Sequence, residues 1–191
     1  MIAVVILAAG SSARLGRAKQ VEELGGESLL GRAVRVAAEA GLGPVYAVVN
    51  AADAAVIAQA RGLPCEVVLN REAEEGMASS IRAGVRALGD RVTAAIVMTC
   101  DQPAVSPAHL RLLAAAGGGE IVASAYAARR GVPAYFPTAA FGELLELRGN
   151  AGARDLLRDV RAIELKGGEV DVDTEADLEV ARALVEGERT E

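Results

Sequence analysis

Three cations, Arg14, Arg17 and Lys19, precede the first acidic residue, Glu22, and follow a run of small residues, Ala8-Ala9-Gly10-Ser11-Ser12. Small side chains let backbone N–H groups come close to an anion, and the cations supply its countercharge, so this stretch has the chemistry of a phosphate cradle. The competing reading is a solvated loop. The spacing is neither the P-loop G-x-x-x-x-G-K-[ST] nor the dinucleotide fingerprint G-x-G-x-x-G. Two acidic positions could complement it: Asp101, ahead of Gln102-Pro103, and the pair in Asp171-Val172-Asp173-Thr174. Mg²⁺ is typically held by one or two carboxylates plus substrate phosphates, which makes Asp101 and Asp173 candidate metal ligands. Either could instead cap a turn or helix, as could Thr174. The single histidine, His109, falls in a helix capped by Ser106 and is expected to face solvent, and no partner motif supports acid–base or serine-hydrolase chemistry.

These groups need a scaffold that brings residue 19 near residues 101 and 173. The chain of 191 residues is 52% hydrophobic and only 3% aromatic, with no Trp. Small aliphatics in that proportion suit helices packed on a parallel sheet, and one domain of this length buries a full core without disulfide or metal staples. Cys65 and Cys100 therefore read as reduced thiols of a cytoplasmic protein. Cys100 either fills space beneath the Asp101 turn or touches a group bound there. The net charge of −6 disfavours a nucleic-acid polymer, and the longest apolar run, residues 1–9, is too short to span a membrane.

Aliphatic runs predict strands over residues 2–7, 45–49, 66–69 and 94–99, alternating with helices over 28–40, 53–60, 77–88 and 106–116. Two further strands, 121–127 and 132–136, are expected to meet at a turn of Arg129-Arg130-Gly131, where either arginine could also meet a phosphate. A helix-rich stretch over 138–158, strands over 162–165 and 170–173, and a helix over 175–185 complete the pattern. The βαβ order predicts a three-layer α/β/α, Rossmann-like, mainly parallel sheet with one antiparallel strand. Ligands of such sheets bind beyond the carboxyl ends of the strands, where the cradle and Asp101 fall.

The stretch from Leu7-Ala8-Ala9-Gly10 through Arg14-Leu15-Gly16 to Lys19-Gln20 resembles the L-A-A-G-x-x-x-R-[ML]-G-x-x-K signature of the MobA-like nucleotidyltransferases. Gly76-Met77-Ala78-Ser79-Ser80-Ile81, Cys100-Asp101-Gln102-Pro103 and Asp171-Val172-Asp173-Thr174 resemble three further motifs of that family, in the same order. L-A-A-G with D-Q-P is most similar to its molybdenum cofactor cytidylyltransferase branch.

The resemblance implies a nucleotide-diphospho-sugar-transferase-like fold over residues 1–191, with a nucleotide-binding half to about residue 105 and an acceptor-binding half beyond it. It implies transfer of CMP from CTP to the phosphate of molybdopterin, with Mg²⁺ and with a molybdoenzyme as a possible partner. Arg14, Lys19 and Asp101 would be catalytic, and Asp101 and Asp173 would hold the metal. Leu7, Ala8, Ala9, Gly10, Ser11, Ser12, Asn70, Gly76 and Ser80 would bind the nucleotide. Gln102, Gly131, Pro133 and Asn150 would meet the acceptor. Two departures fall in the acceptor half, Gly131-Val132-Pro133 for G-H-P and Gly149-Asn150 for G-D. Guanylyl transfer from GTP, cytidylyl transfer to a sugar or polyol phosphate, and a nucleotide-binding chaperone for molybdoenzymes are the alternatives.

Overall fold

The computed structural model describes residues 1–12, 14–150 and 152–188, so Ala13 and Ala151 of the quoted motifs lie outside the described residues. In chain order the elements are β1 (Ile2–Ala8), a hairpin of β2 (Glu23–Leu24) and β3 (Glu27–Ser28), α1 (Leu29–Ala40), β4 (Val45–Asn50), α2 (Ala54–Arg61), β5 (Glu66–Asn70), α3 (Met77–Arg86) and β6 (Ala94–Thr99). Then come α4 (Pro107–Gly117), β7 (Val122–Tyr126), β8 (Arg129–Pro137), α5 (Phe141–Glu146), β9 (Arg161–Glu164) and α6 (Glu175–Glu188).

Seven strands form one sheet in the order β5-β4-β1-β6-β8-β7-β9. Only β8 runs against the rest, antiparallel to both β6 and β7. Alternation along β1 explains the layers. Val4, Ile6 and Ala8 pack with residues of α1, α2 and α4, whereas Ala3, Val5 and Leu7 pack with residues of α3 and α5. Because both faces are covered, the strand reads as an unbroken aliphatic run rather than an alternating one. Helix α3 lies so close to the sheet that a Cβ on Gly84 would come within 2.5 Å of Val5 Cγ1.

The register decides where the site must be. Leu7 pairs with Thr99, Ala8 with Val49 and Asn50 with Asn70, so the chain leaves β1, β4, β5 and β6 along one edge. A smaller third cluster joins the β2–β3 hairpin to α6 through Leu24, Leu29, Val172, Leu178, Ala181 and Val185.

Five expectations need correction. The β7–β8 turn falls at Ala127-Ala128, both at positive φ, and Arg129 and Arg130 already belong to β8. Two-residue hairpin turns with both central φ values positive normally carry Asn or Gly, so an Ala-Ala pair gives no turn signal. Residues 170–173 join no sheet; Val172 N–H instead donates to Asp101 O at 3.0 Å. The 138–158 stretch holds one short α-helix between two 3₁₀ turns, and α3 ends at Arg86. Finally, His109 is buried rather than solvent-facing.

Ser124 Oγ donates its one hydrogen to Pro133 O at 2.6 Å, so the 2.7 Å contact with His109 Nε2 makes that nitrogen the donor. Burial lowers the His109 pKa. The folded protein therefore resists a proton that the unfolded chain accepts near pH ~6.5, and stability is lost as pH falls below that value. Between about pH 7.5 and about pH 5.5 wild type should lose more stability to urea unfolding than His109→Gln does. Equal losses would show that His109 does not drive the dependence.

Candidate functional site

The chain leaving β1 is shaped by Gln20, which is almost fully buried. Its Nε2 donates to Ala8 O at 3.0 Å and to Gly10 O at 2.9 Å, and its Oε1 accepts from Ser12 Oγ at 3.4 Å. Ser12 Oγ in turn accepts from Lys19 N–H at 3.1 Å. The turn at residues 8–12 is thus stapled to the start of the segment that carries Lys19.

Lys19 reaches across the strand edge. Its Nζ lies 2.5 Å from Asp101 Oδ2 and 2.7 Å from Asp173 Oδ1, and its side chain is 11% exposed. Arg14 Nη2 adds a second cation 2.7 Å from Asp173 Oδ2. Burial alone would lower the Lys19 pKa, but the charges and hydrogen bonds of Asp101 and Asp173 outweigh it and hold the ammonium above its usual range. Asp173 is not the helix cap that its position also allowed. Thr174 and Asp177 do that work: Asp177 Oδ2 accepts from Asp173 N–H at 3.1 Å and Thr174 N–H at 2.8 Å, while Thr174 Oγ1 accepts from Asp177 N–H at 3.3 Å. The Asp173 carboxylate is left to Lys19 and Arg14.

The same carboxylates suit a divalent cation. Asp101 Oδ1 is buried and accepts no hydrogen bond among the described residues, an orphan that costs free energy unless something meets it. Hard oxygen donors converging beside such an atom fit Mg²⁺ or Mn²⁺. Among the described residues no cluster of three or more His, Cys, Asp or Glu forms a closed cage. Cys100 lies buried beneath this turn, where burial, and secondarily the Asp101 charge, push its thiol far above the usual range. A buried thiol kept in its protonated form fills space beneath the turn.

Two clefts open on this centre. The first, about 570 Å³, is lined by residues 7–11, Gly76, Ser80 and Asn50. The second, about 440 Å³, is lined by Tyr126, Arg129, Arg130, Arg154 and Asp171. Lys19, Asp101, Thr99, Met77 and Asn150 belong to both. Gly76 is required where the clefts meet: at φ +112, a Cβ there would come within 1.9 Å of Asn150 Oδ1 and 2.9 Å of Gly149 O.

Most sequence-derived candidates gather here, with four differences of role. Leu7, Ala8, Ala9, Gly10, Ser11, Gly76 and Ser80 line the first cleft, and Arg14, Asp173, Gln102, Gly131 and Asn150 line the second. Asn70 lies behind the wall, donating to Ser79 Oγ at 2.9 Å and Ser80 Oγ at 3.0 Å. Ser12 braces the turn. Gln102 spends its amide on Gly168 O at 3.1 Å, Tyr126 Oη at 3.3 Å and Thr99 Oγ1 at 3.2 Å. Pro133 lines neither cleft, and its carbonyl accepts from Ser124. Sequence reasoning missed Asn50, the last residue of β4, although a polar residue at a strand's carboxyl end is the signal that found Asp101. It also missed Tyr126 and Arg154. Asp171 was weighed only as a partner of Asp173. Its carboxylate lies 3.7 Å from Arg129, and burial, reinforced by the Asp101 charge, raises its pKa to about 6.

The pattern of the MobA-like NTP transferase domain matches residues 4–166. The chain belongs to that family and is a nucleotidyltransferase. Purine catabolism protein PucB of Bacillus subtilis is 28% identical, over 93% of this chain and 94% of its own length. The solved structure of Rv0371c from Mycobacterium tuberculosis is 33% identical, with a TM-score of 0.82 over 96% of this chain and 98% of that one. Rv0371c has also been solved in complex with manganese. A nucleotidyl transferase from Methanothermobacter superposes with a TM-score of 0.85 at 25% identity, covering 100% of this chain and 99% of its own.

Lys19→Met removes the cation that bridges Asp101 and Asp173, and a divalent ion can then replace the missing charge. Mn²⁺ alone should bind at least about threefold more tightly than to wild type in an EPR titration. An unchanged or weaker affinity would mean that the two carboxylates do not form a shared cation site.

Proposed function

We propose that the protein transfers CMP from CTP to the phosphate of molybdopterin, with release of pyrophosphate and with Mg²⁺ as its metal. The observation that carries this reading is the meeting of two clefts at one charged centre, Lys19 and Asp101 being common to both. A group transfer needs such a geometry, with donor and acceptor on either side of the reacting phosphorus. The choice of CTP rests on the likeness of L-A-A-G and D-Q-P to the cytidylyl branch.

In the first cleft the turn at residues 8–11 and Lys19 take the triphosphate, while Ser80, held by Asn70, meets the ribose or base. In the second, Arg154 and Arg129, whose guanidinium lies over the Tyr126 ring, draw in the acceptor phosphate. A phosphate oxygen of the acceptor forms a bond to the α-phosphorus of CTP as the bond from that phosphorus to the bridging oxygen of pyrophosphate breaks. The nucleophile is already ionised near neutral pH, so the chain needs no general base, and positioning with electrostatics carries the rate. Lys19, which faces both clefts, neutralises the charge that collects on the departing pyrophosphate, while Arg14, on the acceptor side, steadies Asp173. Asp101 and Asp173 would hold Mg²⁺, which when bound spreads the phosphate charge and makes the phosphorus more electrophilic.

Pyrophosphate release measured with each of the four nucleotides, with and without molybdopterin, tests the reading. Release should require both CTP and molybdopterin, and Asp101→Asn should lower kcat by about a hundredfold or more. A preference for GTP would move the protein to guanylyl transfer, and a sugar or polyol phosphate accepted in place of molybdopterin would replace the acceptor. CTP binding with no turnover on any acceptor would favour the chaperone reading.

A further inference from the structure

Gln20 binds two carbonyls of one short turn, and this fixes more than the turn's shape. A trans peptide is planar, so the C=O of one residue and the N–H of the next point in opposite directions. Ala8 O and Gly10 O both accept from Gln20 Nε2, at 3.0 Å and 2.9 Å. The N–H groups of Ala9 and Ser11 are therefore directed away from Gln20. Among the described residues neither N–H is bound by a backbone carbonyl, and Ala9 and Ser11 both line the first cleft. Gly10 and Ser11 are exposed there, whereas Gln20 beneath them is 2% exposed. The amide cannot flip without turning Oε1 toward both carbonyls and losing those two contacts.

We propose that Gln20 is a positioning residue for the triphosphate: by holding two carbonyls beneath the turn, it presents the N–H groups of Ala9 and Ser11 to the phosphates. Without those two donors Gly10 O is free to rotate toward the cleft, where it would repel an anion instead of binding it, while Ala8 stays paired with Val49 in the sheet. The inference rests on the reading that this turn binds the triphosphate, and it is independent of the acceptor and of the base.

The test is binding without an acceptor. Gln20→Met keeps the volume beneath the turn and removes both donors. Its affinity for the Mg²⁺ complexes of the four nucleotides, and for inorganic tripolyphosphate as a base-free probe, should fall about tenfold or more, as expected for misaligning two hydrogen bonds to a charged ligand. In turnover KM for the nucleotide should rise while kcat at saturation stays within about threefold, a split that simple loss of stability would not produce. Lys19→Met, measured alongside, reports on the site itself. If Lys19→Met loses tripolyphosphate and Gln20→Met binds within about twofold of wild type, the role of Gln20 is overturned while the site stands. If both bind like wild type, the phosphate site falls, and the role of Gln20 with it. Should Gln20→Met fail to fold, the wild-type protein decides by ¹⁵N–¹H spectra. Tripolyphosphate should shift the Ala9 and Ser11 amide resonances more than those elsewhere in the cleft, and their failure to move would overturn the proposal.

Discussion

Lys19, near one end of the chain, holds together a carboxylate from its middle, Asp101, and one from near its other end, Asp173, and the rest of the molecule is arranged to let it. Asp101 follows β6 in the middle of the sheet, Asp173 precedes α6, and Lys19 follows the turn beyond β1. Such a partly buried ion group contributes little stability for its size, because desolvating three charges offsets most of their attraction. Removing one member leaves the others uncompensated, which is the costly outcome. The arrangement therefore makes more sense as chemistry than as reinforcement. It keeps charges of both signs at the junction of two clefts, ready to be redistributed when phosphates bring in four or so negative charges of their own.

Each arm of this group has its own support. The position of Asp101 follows from strand pairing, since β6 lies beside β1 and ends level with it. Asp173 depends on a separate small core. Val172 is fully buried among the side chains of α6 and the β2–β3 hairpin, while its N–H is tied to Asp101 O. Asp177 fixes the backbone on the other side. The C-terminal helix thus closes the site as well as the fold, and changes at Leu178 or Val185 would act on Asp173 through Val172 without touching a ligand.

Sequence reasoning succeeded where a single physical requirement governs a segment. Buried parallel strands demand aliphatic runs, so β1, β4 and β6 could be read directly, and with them the edge on which Asp101 falls. It failed where two requirements leave the same trace. Val170-Asp171-Val172-Asp173 alternates like a strand, yet the alternation records one valine buried under a helix and two aspartates turned toward charged partners. His109 looked like a solvated helix residue because a buried histidine differs from an exposed one only in its partner. That partner, Ser124, is on β7 and is invisible at that distance along the chain. The roles of Gln102, Pro133 and Asn70 were obscured similarly: motifs locate a polar group near a site but do not say whether its hydrogen bonds are already spent on the protein.

The division of labour between loops and strands follows from that last point. Gln20, Asn70, Gln102 and Ser12 hold their hydrogen bonds inward, whereas residues 9–11, Lys19 and Asp101 keep groups that can be given to a ligand. A phosphate ligand exchanges solvation for these groups, and the exchange is favourable only if they do not first have to be freed from the protein or turned to face it. In this fold the buried amides of Gln20, Asn70 and Gln102 are bound to the protein, and Lys19 and Asp101 face both clefts.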